Sequence, residues 1–508
     1  MKDWAYLTTV EEMEEATNSL LENGKKVGAD SWQQRVKNQT PHCGFGEAGT
    51  CCRICSMGPC RITPKAPRGI CGCDVHGIVG RNFLRFTAGG SATHSDHGRE
   101  ICHTLYQAKE GGNYQVKDPE KLVRIAKEWG VETEGKDIYD LAHEMAEIGL
   151  MEYGKPFGVQ KFLKRAPEHT QKLWHEAGIE PRAIDREVAT ALHMTHMGNS
   201  SLPEALVRQA LRCGLSDGWG GSMMGTEFSD VMFGTPKPVD STANIGVMEK
   251  DNVNIVVHGH DPSLSEMIVY YANDPEMLAL AKSVGAKGIT ISGVCCTANE
   301  VAMRHGIPMA GNFLSQENVV LTGACEAIVV DVQCIFPALG PLSKCFHTKF
   351  ITTSPICRMP DSEFIQFNAE TAGDNAKAIV KMAVENFKNR KPELVNIPNQ
   401  VQKTRVGYSL EAIVKVLDGV ANSQVDEFGT TKPLLECVTS GVLRGAVAMV
   451  GCNNPKVRPD TAHIELMKKM LENDIIVIVS GCSAQAAAKA GLMDPEKAKE
   501  YCGAGLKR

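Results

Sequence analysis

A chain of 508 residues with 43% hydrophobic and 22% charged residues has the composition of a soluble globular protein, too long for a single core. Its formal charge of -6 with no basic block excludes a nucleic-acid partner, and no apolar run long enough for a transmembrane segment is present. The acidic start MKDWAYLTTVEEMEEA is no signal peptide, so the chain reads as cytoplasmic, and its 19 cysteines point to metal ligation in a reducing compartment.

Residues 1 to about 35 carry apolar positions at helical spacing and lead into a cysteine-rich loop. That loop, CGFGEAGTCCRICSMGPCRITPKAPRGIC, holds Cys43, Cys51, Cys52, Cys55, Cys60 and Cys71. Cys52, Cys55, Cys60 and Cys71 supply four thiolates, enough for one 4Fe-4S cubane per subunit. Cys43 and Cys51 are half a ligand set, and a two-fold axis would complete it with the same pair from a second copy. The pattern therefore predicts a homodimer with a 4Fe-4S cluster shared between subunits. Gly44, Gly46, Gly49, Gly58, Pro59 and Gly72 let backbone wrap closely around such a core. Structural zinc is the competing reading, but zinc sites usually show two C-x2-C knuckles and rarely an adjacent Cys-Cys pair.

Downstream, AGGSATHSDHGREICHTL places His94, His97, Glu100 and His103 three apart, close to one helical face. A row of imidazoles can pass protons; a solvated polar face is the alternative. From about 118 to 230 the periodicity is helical, with Met194, Met197, Met223 and Met224 as core filler and His193 and His196 as packing residues. Within the glycine-rich stretch 212–221, Asp217 either points into a cavity or serves as a turn residue.

Beyond 240, short apolar runs alternate with helical stretches, the pattern of parallel sheets with crossover helices. Five runs end in a metal-binding residue: NVNIVVHGH at His260, GITISGVCC at Cys295 and Cys296, AIVVDVQC at Cys334, GAVAMVGC at Cys452 and IIVIVSGC at Cys482. Strand carboxyl ends in open α/β sheets line one crevice, so these residues predict a second, mixed Cys/His metal centre. Cys213, Cys325, Cys345, Cys357, Cys437 and Cys502 read as small hydrophobes. The fold class is α/β multidomain: a mostly helical domain over 1–235 with the iron-sulfur loop, then two Rossmann-like domains over 236–390 and 391–508, the last partial. The polar stretch 386–407 marks the boundary between those two. No GxGxxG after a strand and no P-loop is present, which leaves nucleotide use unsupported.

Together, CGFGEAGTCCRICSMGPCR with GIC, HSDHGRE, RCGLSDG, MGTEFSDVMFGTP, VVHGHDPSLSEMI, CCTANEVAMRHGIPMAG, VDVQC, VGCNNPKV and SGCSAQAA resemble the anaerobic nickel-iron carbon monoxide dehydrogenases over essentially the whole chain. The resemblance implies that Cys43 and Cys51 hold the shared cluster and that Cys52, Cys55, Cys60 and Cys71 hold the second cubane, with Cys73 spare. It implies a Ni-Fe-S cluster with His260 and Cys296 on a lone iron, and Cys334, Cys452 and Cys482 on its cubane portion. Cys295 would be an adjacent thiol. It assigns acid/base work to His94, a carboxylate beside bound hydroxide to Asp217, and the proton path to His97 and His103, with Glu100 standing where a further histidine is common. The implied reaction is reversible oxidation of carbon monoxide with water, with electrons leaving to a ferredoxin-like acceptor; the resemblance leaves open a partnership with an acetyl-CoA synthase subunit. The family pattern continues past CGAGLKR into a part carrying a nickel-binding cysteine and a catalytic lysine. By that resemblance the 508 residues alone would assemble both cubanes without nickel anchorage or activity. Two other readings stand beside it: a non-catalytic iron-sulfur electron-transfer or assembly subunit, and a hybrid-cluster (prismane) reductase, a type that lacks the six-cysteine loop.

Overall fold

The structure is a computed structural model that describes residues 15–421 and 430–507. The chain divides into two compact units, one of residues 39–234 and one of residues 1–38 with 235–508.

The unit of 39–234 is built around one long helix, Val75–Tyr106. Asp74 starts it by accepting a hydrogen bond from the N–H of Gly77 at 2.9 Å, the usual service of an N-cap carboxylate. Its buried positions, among them Ile78, Leu84, Ala88, Ser95, Ile101, Cys102 and Leu105, pack against helices Ile138–Gly154, Ile184–Thr195, Pro203–Ser216 and Met223–Phe233. Between the last two the chain winds as a wider π-helical turn, Asp217–Ser222, a local geometry that re-aims side chains and recurs at functional sites. The crossing there is backbone on backbone. A Cβ at Gly98 would collide with the carbonyl of Gly221, and one at Gly221 would collide with Ser95.

The cysteine loop leads into the same helix. Strands β1 (Cys51–Cys52) and β2 (Cys60–Arg61) pair antiparallel with Cys52 opposite Cys60, so four residues of a tight hairpin carry three cysteines. The helix holds this hairpin directly: Asn82 Nδ2 donates to the carbonyls of Gly49 and Cys51, each at 3.0 Å.

The other unit contains an eight-stranded sheet of β3 (Val239–Ala243), β4 (Val253–Gly259), β5 (Ile289–Val294), β6 (Met309–Gly311), β7 (Cys325–Val330), β8 (Lys349–Thr352), β9 (Glu363–Phe364) and β10 (Gln402–Val406). The order is β10-β3-β6-β5-β4-β7-β8-β9, parallel throughout except for β10 on β3. β4 is buried at every position, as a central parallel strand covered on both faces must be. Alternate residues serve different cores: Ile255 and Val257 on β4 and Ala327 and Val329 on β7 face one, while Val256, Ile328 and Val330 face the other. Helices Pro262–Ala272 and Ala372–Asn386 cover the first face. The second takes Leu20 and Leu21 of helix Glu15–Lys26. That helix is pinned by Asn23 Nδ2 to the carbonyls of Leu321 and Leu394 at 2.8 and 2.7 Å; the following one, Trp32–Asn38, is pinned by Trp32 N–H on Glu317 at 2.7 Å and by an Arg35–Glu317 ion pair. A separate parallel pair, β11 (Gly445–Met449) and β12 (Ile475–Val479), lies in the same unit. Among the described residues no helix is long and apolar enough to cross a membrane.

Candidate functional site

Three groups of chemistry-bearing side chains stand out, and each grows from a local structural reason. In the first, Cys52, Cys55, Cys60 and Cys71 line one small cavity together with Cys73 and Arg81. A cis Gly58-Pro59 bond closes the hairpin, and a Cβ on Gly58 would press on the backbone of Cys52 and Cys60. The N–H of Ile70 points at Cys60 Sγ at 3.5 Å, and the N–H of Cys73 and the guanidinium of Arg81 together hold the Cys71 thiol below its ordinary range, against the effect of burial. Thiols gathered around a cavity, with amide donors aimed at sulfur, suit an iron-sulfur cubane. Cys43 is exposed and Cys51 half-buried; neither lines this cavity.

The second group sits where helix Val75–Tyr106 meets the π-helical turn. His94 Nδ1 lies 3.0 and 2.9 Å from the two oxygens of Asp217. Ser95 Oγ donates to Asp217 Oδ1 at 2.9 Å, and Ser222 Oγ lies 3.1 Å from His94 Nδ1 and 3.2 Å from Asp217 Oδ1. A carboxylate against Nδ1 assigns a proton to that nitrogen. His97 packs against Gly225, and His103 lies on the exposed end of the row, its pKa lowered by partial burial and by Arg99.

The third group collects at strand ends. One ligand atom each from His260, Cys295 and Cys334 lies within 4.8 Å of the others. His260 follows β4; Cys295 and Cys296 open helix Cys295–His305 directly after β5; Cys334 follows β7. Cys295 and Cys334 both take left-handed backbone, φ 64° and 59°, which non-glycine residues rarely adopt. Cys482 opens helix Gly481–Lys489 after β12, and that helix is tied to the centre by Gln485 donating to the Cys295 carbonyl and by Asn299 donating to the Gly481 carbonyl at 3.1 Å. The Cys295 thiol contacts those of Cys296, Cys334 and Cys482, while the exposed Cys452 contacts Cys334 and Cys482. The structure thus brings together His260, Cys296, Cys334, Cys452 and Cys482, and sets Cys295 among them.

The electrostatics test whether a metal suits this site. Burial opposes charge on His260, yet Cys296 and Asp331 push it up to about 9. Cys334, despite a hydrogen bond from Cys295 that favours its thiolate, is pushed up to about 12 by Cys452 and by burial; Cys482, under the same influences, is also raised. Thiols this close together, some of them buried, cannot all ionise unaided, and cations would release their protons. The donor set fits a soft, iron-containing metal centre. The supporting roles were not read from the sequence: Asp331 sits within the VDVQC stretch only as a neighbour of Cys334, and Gln316 opens the separate helix Gln316–Leu321.

A model of the Prismane/CO dehydrogenase family matches residues 50–508. Carbon monoxide dehydrogenase 1 of Methanosarcina mazei is 48% identical over 497 residues, covering 97% of this chain and 77% of that protein. The carbon monoxide dehydrogenase/acetyl-CoA synthase subunit beta of Moorella thermoacetica is 40% identical over 483 residues, 93% of this chain and 70% of that one. Among solved structures, the as-isolated Ni-free carbon monoxide dehydrogenase of Thermococcus sp. AM4 superposes with a TM-score of 0.94 at 44% identity, covering 99% of this chain and 79% of that one. On this likeness, spanning both cysteine-bearing units, the chain belongs to the Prismane/CO dehydrogenase family and, within it, to the carbon monoxide dehydrogenases, which are oxidoreductases.

Proposed function

We propose that the protein oxidises carbon monoxide with water, reversibly, to carbon dioxide, two protons and two electrons. The observation that carries this reading is the convergence of His260, Cys295 and Cys334 within 4.8 Å at the ends of three parallel strands. His260, Cys296, Cys334, Cys452 and Cys482 would hold a Ni-Fe-S cluster. When bound, that cluster supplies a soft site for carbon monoxide, a Lewis acid for water and a store for the electrons. The protein's own residues then handle protons and charge. His94 exchanges a proton at Nε2, and Asp217 at Nδ1 stabilises the imidazolium that results. His97 and His103 continue the path along the same helix.

Cys52, Cys55, Cys60 and Cys71 hold a cubane on the electron route, and Cys43 and Cys51 of two copies hold a shared one, which makes the protein a homodimer. A ferredoxin-like protein accepts the electrons, an acetyl-CoA synthase subunit is a further partner to assay, and the compartment is cytoplasmic. The name of the Moorella thermoacetica relative supports that choice of partner. The test is anaerobic purification of the native holoprotein, with iron and nickel analysis and carbon monoxide-dependent viologen reduction. Nickel with iron and steady turnover is the expected result. Iron without nickel, and no turnover, would overturn it in favour of an electron carrier.

A further inference from the structure

We propose that Asp331 is a positioning residue that sets the geometry of the strand-end ligands before metal arrives, with Gln316 securing the far end of the same loop. The inference rests on the ligand assignment above. Asp331 follows β7 directly and binds no metal in that assignment, because its oxygens are already engaged. Oδ1 accepts from the N–H of His260 at 2.7 Å and from the N–H of Val332; Oδ2 accepts from the N–H of Asp261 at 3.0 Å and from Thr297 Oγ1 at 3.4 Å. These partners belong to the three segments that carry His260, Cys296 and Cys334.

The backbone is shaped around this carboxylate. Gly259, at φ 136°, packs so closely that a Cβ there would overlap Asp331 Oδ1, so the residue before His260 must be glycine. The loop beyond Asp331 returns the favour to the imidazole: the Val332 carbonyl lies 3.1 Å from His260 Nδ1, which leaves Nε2 as the metal-binding nitrogen. The loop then passes through two left-handed residues, Gln333 at φ 67° and Cys334 at φ 59°. Such backbone persists only when its surroundings impose it. Gln316 imposes it here. The fully buried amide accepts from the N–H of Phe336 at 2.7 Å and donates to the Cys334 carbonyl at 2.9 Å and to the Phe313 carbonyl at 2.5 Å.

The experiment compares Asp331→Asn and Cys334→Ser with wild type in protein reconstituted anaerobically with ferrous iron and sulfide. The readouts are chelator competition for iron, the electron paramagnetic resonance of each cluster, and the melting temperature before reconstitution. Asp331→Asn is the same size but turns an N–H donor toward backbone N–H groups. It is expected to weaken iron at the strand-end centre about 10- to 100-fold, as changes in a ligand's supporting partners typically do, while the cubane of Cys52, Cys55, Cys60 and Cys71 keeps its signal. A strand-end signal and affinity equal to wild type would overturn the inference. If Cys334→Ser also leaves that signal untouched, the ligand assignment fails instead. Should Asp331→Asn not fold, Thr297→Val decides: an altered strand-end spectrum with an unchanged melting temperature supports the role, and an unchanged spectrum overturns it.

Discussion

His94 and Asp217 lie 123 residues apart in sequence, yet Nδ1 of the histidine meets both carboxylate oxygens at 2.9 and 3.0 Å. The contact depends on the π-helical turn, which places Asp217 at the helix junction, and on Ser95 and Ser222, which fix the carboxylate. Asp217→Asn is therefore expected to lower carbon monoxide turnover on the order of 100-fold or more, with His94→Ala at least as damaging, while iron content stays constant. Viologen assays beside metal analysis check this, and unchanged turnover in either variant would remove the pair from the mechanism.

Cys43 and Cys51 supply two thiolates per chain and lie outside the cavity formed by the other cysteines of the loop. Replacing both with serine is expected to remove about four irons per dimer and to weaken association, since in the proposed shared cubane half of the ligands would come from each copy. Sedimentation and iron counting test it; equal iron in the variant would rule out a shared cluster.

Glu187 offers a pH test of the helical unit. Burial by itself would raise its pKa, but Arg182, through its N–H at 3.0 Å and guanidinium at 2.8 and 3.0 Å, and Gln209 at 3.0 Å hold the value below the ordinary one. A carboxyl lowered on folding contributes stability above its unfolded pKa of about 4.3 and loses it as pH falls through the folded value. Glu187→Gln is expected to cost about 1–3 kcal/mol near neutrality, with the gap to wild type closing in acid. A gap that stays constant down to low pH would contradict this.

Gly98→Ala places a methyl group against the Gly221 carbonyl. The helix crossing must open to accept it, at a cost of about 1–3 kcal/mol typical of overpacking. The shift would move the Asp217 turn away from His94. Calorimetry should show a lower melting temperature, and an unchanged one would mean that the crossing is looser than its geometry indicates.

Much of the α/β unit was legible in the sequence because buried parallel strands are continuous apolar runs: β4, β5, β7, β11 and β12 lie on the five runs that end in His260, Cys295 and Cys296, Cys334, Cys452 and Cys482. Clustering of the loop cysteines followed from short spacing. The central place of Cys295 did not, since adjacent cysteines look alike until a left-handed φ turns one inward. The role of Asp331, though it lies in the quoted VDVQC stretch, and that of Gln316 stayed hidden because both work by hydrogen bonding to backbone, which leaves no mark in residue type or period. The docking of helix Glu15–Lys26 was equally silent, its partners Leu321 and Leu394 lying 298 and 371 residues beyond Asn23.

One helix, Val75–Tyr106, carries both the amide of Asn82, which grips the hairpin at Cys51, and the imidazole of His94. Twelve residues at about 1.5 Å each make a rigid spacer of roughly 18 Å. The span between the cysteine hairpin and His94 is thereby a ruler set by residue count. Deleting one residue between 82 and 94 would shorten it only slightly but swing His94 by about 100° around the axis, away from Asp217. The two sites are set relative to each other by angle far more than by distance.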